Sequence, residues 1–354
     1  MSDTPTTGIA FGRPTGIVRL FGERFSQRLD LRTLTICGVL LVLAVAVAVL
    51  TLASGEYQIP VDQVIGALFG QASAKLHMVV VEWRLPRTLL ALIMGAALGV
   101  SGAIFQSLTR NPLGSPDVIG FNAGAYTGAL VIITMTGGGF VAVAGGALAG
   151  GILTALAVYL LAWRGGVQGF RLIIVGIGVS AMLTSLNTWM LMRAQLEVAM
   201  AAATWGAGSL NGLGLDRLLQ VSVILALLLP CALILSRPMH QLEMGDDAAR
   251  ALGVNAEGTR LGLTVVGVAL TATVTAAAGP IMFVALSAPQ IARRLSGSAG
   301  VALLPSACMG ALLLAAADFL AQRAFAPTQL PVGIVTVCIG GLYFACLLMR
   351  EARR

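Results

Sequence analysis

The sequence predicts an all-α polytopic membrane protein with about ten transmembrane helices. Three observations carry that prediction. Of 354 residues, 57% are hydrophobic and only 10% are charged, against roughly 25% charged in a soluble domain. The apolar residues fall in long continuous runs rich in Leu and Ala, not in the short alternating runs of strands. Glycine is abundant, at 43 residues, which suits close helix packing in lipid.

Residues 1–32 come first, as a cytoplasmic segment. Val18, Phe21, Phe25 and Leu29 recur at spacings of three and four, with Arg19, Arg24 and Arg28 between them. That pattern predicts an amphipathic helix lying on the membrane surface. The segment does not read as a cleaved signal peptide, because its basic region is long and no small-residue cleavage site follows the first apolar run.

A bilayer crossing needs about 20 apolar residues. Ten runs are candidates, at 33–53, 85–108, 118–135, 140–163, 171–193, 217–236, 259–278, 280–294, 300–321 and 331–349. The eighth is short and holds Pro280 and Pro289, which predicts a broken helix. Residues 33–349 therefore form one transmembrane domain, with 350–354 as a cytoplasmic tail. Gly95 and Gly99 on the second run, and Gly120, Gly124 and Gly128 on the third, predict close backbone packing. The string around Gly176 and Gly178 lacks the strand–turn–helix context of a nucleotide fingerprint.

Orientation follows from the basic residues. With the N-terminus inside, 16 of the 22 Lys and Arg face the cytoplasm. The positive-inside rule then places both termini in the cytoplasm, which an even number of spans satisfies.

Composition also excludes function classes. The net charge of +7 comes from scattered arginines and the single Lys75; no basic run interleaves with aromatics, so nucleic acid is not a predicted partner. Cys37, Cys231, Cys308, Cys338 and Cys346 lie in apolar runs without a C-x-x-C pair, and read as small buried apolar residues rather than a metal site or disulfide. The 15 carboxylates fall in loops or at span ends. A proton-coupled carrier usually holds an ionisable group at mid-depth, so a stand-alone secondary transporter is the weaker alternative. The two histidines, His77 and His240, lie outside the spans and form no catalytic set. Lys75 follows Ala74, so there is no P-loop. No catalytic residue, metal site or cofactor is predicted on this chain. If ATP drives it, ATP and Mg belong to a partner ATPase.

One charged stretch interrupts the second half, "LEMGDDAARALGV" at 242–254. Asp246 and Asp247 suit a helix start, Arg250 falls near its end, and Gly253 stands where a C-terminal cap belongs. Residues 246–252 thus predict a two-turn helix on the cytoplasmic side. Ala248, Ala249, Ala251 and Leu252 give it a small, smooth surface. Two turns are too few for a helix to stand alone in water, so it must rest on something.

The chain resembles the iron–siderophore and cobalamin permeases of bacterial ABC importers, the type II import fold. The matching stretches are "RLPRTLLALIMGAALGVSGAIFQ" (84–106), "RNPLGSPDVIGFNAGA" (110–125), "EMGDDAARALGV" (243–254), "AGPIMFVALSAPQIARRLSG" (278–297) and "LPVGIVT" (330–336). "WGAGSLNG" (205–212) and "FRLIIVGIG" (170–178) resemble the permeases for ferric enterobactin or a similar catecholate siderophore.

The resemblance implies a multi-pass protein of the bacterial inner membrane. Its partners would be a related second permease chain, two cytoplasmic ATPases and a periplasmic siderophore-binding protein, with cobalamin or haem as alternative cargo. It implies that Glu243, Gly245, Asp246, Asp247, Ala248, Ala249, Arg250 and Gly253 form the coupling helix that docks on the ATPase. It assigns Arg84, Arg87 and Arg323 to binding-protein docking, though the register of Arg323 is off by about one residue. Ser180, Thr184, Ser185 and Asn187 would line the pathway. The glycine-rich loop 165–170, with Gly169 and Phe170, would be a hinged cytoplasmic gate.

Overall fold

The computed structural model describes residues 15–20, 25–55, 57–117, 119–136, 139–163, 169–298 and 300–351. Among the described residues, a helix falls on each of the ten apolar runs, with shorter helices between some of them: α1 (Leu31–Ala53), α2 (Leu85–Thr109), α3 (Phe121–Thr136), α4 (Phe140–Ala162), α5 (Gly169–Arg193), α6 (Leu215–Ile234), α7 (Ala256–Ala278), α8 (Val284–Ser296), α9 (Leu303–Arg323) and α10 (Val332–Glu351). Seven of the helical stretches among the described residues are long and apolar enough to cross a membrane. The helix α3 and the apolar part of α10, Val332–Cys346, are shorter. A π-helical stretch, Met78–Arg84, runs directly into α2.

The break predicted in the eighth run is present, and its cause is local. Gly279 and Phe283 both have positive φ, at 75° and 69°, so the chain cannot pass helically from α7 into α8. Helix α8 begins only at Val284 and has 13 residues, with Pro289 inside it.

Helix α2 is the centre of the fold. Leu90, Met94, Ala97, Leu98, Ile104 and Phe105 on it are all essentially inaccessible. It packs on α7, α8 and α9. The glycines explain how closely. A Cβ on Gly95 would strike the backbone of Gly310, one on Gly99 the backbone of Ser306, and one on Gly102 the backbone of Ala285. The α3–α4 pair is built in the same way, with Gly124 and Gly128 against Gly150 and Gly146. Without a hydrophobic driving force between helices in lipid, such close approach supplies the attraction.

Two expectations are corrected. Where the expected amphipathic helix from Val18 to Leu29 is described, the residues pair as antiparallel strands, Thr15–Leu20 against Phe25–Asp30 in the register Thr15↔Asp30; Phe21 and Arg24 lie outside the described residues. The β-branched Thr15, Ile17 and Val18 favour strand, and Gly16 and Gly22 oppose helix. The cysteines are not all buried: Cys37 is, Cys308 is half-buried, and Cys231, Cys338 and Cys346 are exposed on helices that carry apolar outer faces.

Candidate functional site

The charged stretch folds into two short helices joined by a sharp turn. Ser236–Glu243 ends at Met244, Gly245 turns the chain with φ 118°, and Asp246–Ala251 follows. The second helix closes as expected. Gly253, with φ 84°, donates its N–H to the Arg250 carbonyl at 2.9 Å, and Val254 donates to the Ala249 carbonyl at 3.0 Å. Those two bonds make a Schellman motif, which needs a left-handed residue at Gly253. Gly245 has the same conformational requirement, and its role was not visible in the sequence.

What the helix rests on is now explicit. Ala249 is fully buried against the bundle. Asp246 accepts from Arg260 on α7 at 2.9 and 3.0 Å, and from Arg110 just past the end of α2 at 2.8 Å. Arg110 also donates to the Leu242 carbonyl at 2.7 Å. Burial pushes the Asp246 carboxyl up, but the hydrogen bonds and charges of Arg260 and Arg110 outweigh this and hold it below the usual carboxylate range. Asp246 is therefore a clamp that fixes this helix to the bundle.

The outward surface is formed by Met244, Asp247, Ala248, Arg250, Ala251, Leu252 and Gly253, all exposed except for the cap's own hydrogen bonds. The Asp247–Arg250 pair spans 3.8 Å on this open surface and adds little stability there. Glu243 closes the preceding helix and is only partly exposed.

At the outer rim, Arg84 and Arg87 both have partners within the chain. Arg84 donates to the Leu52 carbonyl in the last turn of α1 and to the Tyr57 carbonyl beyond it, both at 2.8 Å, which supplies a donor to a carbonyl that the helix end leaves open. Arg87 binds Asp318 on α9 at 2.8 and 3.1 Å and donates to the Gln329 side chain at 2.8 Å. Asp318 is 1% exposed. The two guanidinium groups are thus engaged within the chain, because each sits where a buried acceptor needs a donor. That is a structural role for Arg84 and Arg87 beside the docking role expected of them. Arg323 is half-buried close enough to Arg84 for their charges to repel.

On α5, the four predicted pathway residues separate into two pairs. Asn187 is buried and donates to the Ala123 carbonyl at 3.3 Å, while Ser180 lies against Gly120; both face α3. Thr184 and Ser185 are exposed. Only 11% of the most apolar window of α5 is buried within the chain, the lowest share of the seven candidate spans.

For the loop 165–170, residues 165–168 lie outside those described. Gly169 begins α5, and a Cβ there would collide with the backbone of Thr109. Close approach to the end of α2 requires glycine at this position. Phe170 beside it is exposed.

Several residues that organise the site were missed in the sequence: Arg110, Arg260, Asp318 and Asp117. Asp117, half-buried between α2 and α3, accepts from the Asn122 side chain at 2.5 Å and from the Phe283 N–H at 3.4 Å. It ties the α2–α3 connector to the break before α8. Among the described residues, no three His, Cys, Asp or Glu side chains gather in a metal-binding group.

Comparison with known proteins identifies the group to which this architecture belongs. The FecCD transport family matches over residues 40–350. The ferric enterobactin transport system permease protein FepG of Escherichia coli is 54% identical over 323 residues, covering 91% of this chain and 98% of that protein. The iron(3+)-hydroxamate import system permease protein FhuG of Bacillus subtilis is 36% identical, covering 90% and 98%. A solved structure, of a metal-chelate type ABC transporter in an inward-facing conformation, superposes with a TM-score of 0.78 at 27% identity, covering 89% of this chain and 99% of its own. The chain is a multi-pass membrane protein and belongs to the FecCD transport family.

Proposed function

We propose that this chain is the permease subunit of an ATP-driven importer that carries a ferric siderophore, ferric enterobactin or a similar catecholate, from periplasm to cytoplasm by alternating access. The observation that carries the substrate is the 54% identity to the E. coli ferric enterobactin permease over nearly the whole of both chains. The clamped and capped helix Asp246–Ala251 supports ATP coupling: it is anchored on α2 and α7 and presents small side chains outward.

In this reading the chain performs no covalent chemistry. ATP and Mg are bound by two cytoplasmic ATPase subunits, one of which receives the surface around Ala248 and Ala251. A related second permease covers the exposed face of α5, where Thr184 and Ser185 would be poorly solvated by lipid. Weakly polar groups on that face suit a pathway, since tight binding would oppose release. A periplasmic binding protein delivers the cargo. Both termini lie in the cytoplasm.

The test is iron-limited growth of a deletion strain on individual purified siderophores. Loss of growth on ferric enterobactin, restored by this chain, supports the reading; unchanged growth on every catecholate, with loss on cobalamin or haem, reassigns the cargo. Purification separates it from a stand-alone carrier, which would retain no ATPase subunit.

A further inference from the structure

Helices α4 and α6 both pack on α7 but leave a long groove between them. Its cavity measures about 550 Å³, within the roughly 300–1,000 Å³ range of ligand sites. The floor is a stripe of small residues on α7, Ala269, Ala272 and Ala276. The walls are large aliphatic side chains, among them Leu148 and Ile152 on α4 and Ile224 on α6. Small residues at helical spacing under taller walls are what create the trough. From Phe140 to Tyr159 it follows α4 for roughly 28 Å at 1.5 Å per residue, close to the hydrocarbon thickness of about 30 Å.

One end of this apolar groove is cationic. Arg217, in the first turn of α6, lies over the Phe140 ring with its guanidinium carbon 3.7 Å from the centroid, and donates to the Gln220 side chain at 2.8 Å. Both partners are uncharged. Among the described residues, no carboxylate forms an ion pair with it. An aromatic ring and an amide hold the guanidinium at the mouth without neutralising it.

We infer that the α4–α6–α7 groove is a binding site for a single glycerophospholipid, with its phosphate on Arg217 and one acyl chain laid along the Ala276–Ala272–Ala269 floor. The match is of shape and charge together. A flexible chain can follow an aliphatic trough of this length, and the phosphate meets the cation at its end. An Arg fork suits a phosphate's paired oxygens. No residue of α5 lines the groove, so the site is separate from the cargo pathway proposed above, and it does not depend on which siderophore is carried.

The experiment uses the intact transporter complex in nanodiscs containing a phosphatidylglycerol whose acyl chain bears a photoreactive diazirine. Irradiation and peptide mass spectrometry then compare labelling at Ile224 and Ile152 with labelling at Leu41 and Val42, which are exposed on α1 outside any groove. The wild type should label the groove several-fold more than α1. Arg217→Glu should reduce groove labelling by about fivefold, and Ala272→Phe, which fills the trough, should abolish the excess while Arg217 remains. The α1 signal should not change in either variant, which also reports that the protein is folded. Equal labelling of groove and α1 in the wild type, or an excess that survives both substitutions, overturns the proposal. So does native mass spectrometry showing a protein segment in place of lipid.

Discussion

Arg260 grips both carboxylate oxygens of Asp246 at 2.9 and 3.0 Å, so the first residue of a six-residue helix is bolted to the start of α7. A helix this short gains almost nothing from its own hydrogen bonds. Its position is set by the clamp on one side and the glycine cap on the other.

Replacing Asp246 with Asn should therefore loosen the segment without changing membrane insertion. Uptake per ATP hydrolysed should fall by about tenfold, as expected when hydrogen bonds to charged groups worth about 1.5–3 kcal/mol are lost. The pH dependence has a definite sign. The carboxyl is held low in the folded state, so its stabilisation is fully present above its unfolded value, about 3.9, and is lost as pH falls through the lower folded value. The thermal stability difference between wild type and Asp246→Asn should be constant from about pH 5 to 8 and shrink only in acid. A difference that grows as pH falls would exclude the clamp.

A Cβ placed on Gly253 would have no neighbour within 4 Å, so substitution there tests conformation alone. Gly253→Val forces a β-branched residue into the left-handed region at a cost of about 1–3 kcal/mol. It should uncouple ATP hydrolysis from uptake while the complex still assembles. Gly253→Asn, which tolerates that region, should retain much of the coupling. Unimpaired uptake in the valine variant sinks the assignment of this segment.

The Arg87–Asp318 pair predicts a contribution to stability. Arg87→Ala leaves Asp318 unpaired in the interior, and removing one member of a buried pair costs about 3–5 kcal/mol. The thermal midpoint of the detergent-solubilised complex should drop clearly, and Asp318→Asn in the same background should recover part of it. A variant with normal stability but weakened binding-protein affinity would leave Arg87 with the docking role alone.

Glycine position decides the last prediction. Gly99→Ala places a methyl group on the backbone of Ser306 and should reduce yield and thermal stability, because no side chain there can move aside. Gly178→Ala meets nothing within 4 Å and should leave stability of the isolated chain unchanged or slightly higher. Fluorescence-detected size exclusion of the two variants separates them.

The sequence made the helices legible because hydrophobic run length is a one-dimensional property. The cap at Gly253 was legible for the same reason: caps are local. The strand pair within Thr15–Asp30 was misread because apolar spacing outweighed two glycines and a β-branched cluster. The partners of Asp246, Arg87 and Asp318 were out of reach, since Arg110 is 136 residues from Asp246 and Arg87 is 231 from Asp318. Each of those charges reads as an ordinary span-end residue until the fold brings its partner to it. Gly169 shows the converse, a glycine in a glycine-rich loop that a close neighbour requires.

The two ion pairs bracket a single helix. Arg87 stands in the first turn of α2 and Arg110 immediately after its last, about 35 Å apart at 1.5 Å per residue. Between them the glycine seam presses α2 backbone to backbone against α8 and α9, which leaves little slack to absorb motion. Helix α2 is in effect a strut: the ion pair of Asp246 at one end and that of Asp318 at the other are joined by a helix with little room to flex.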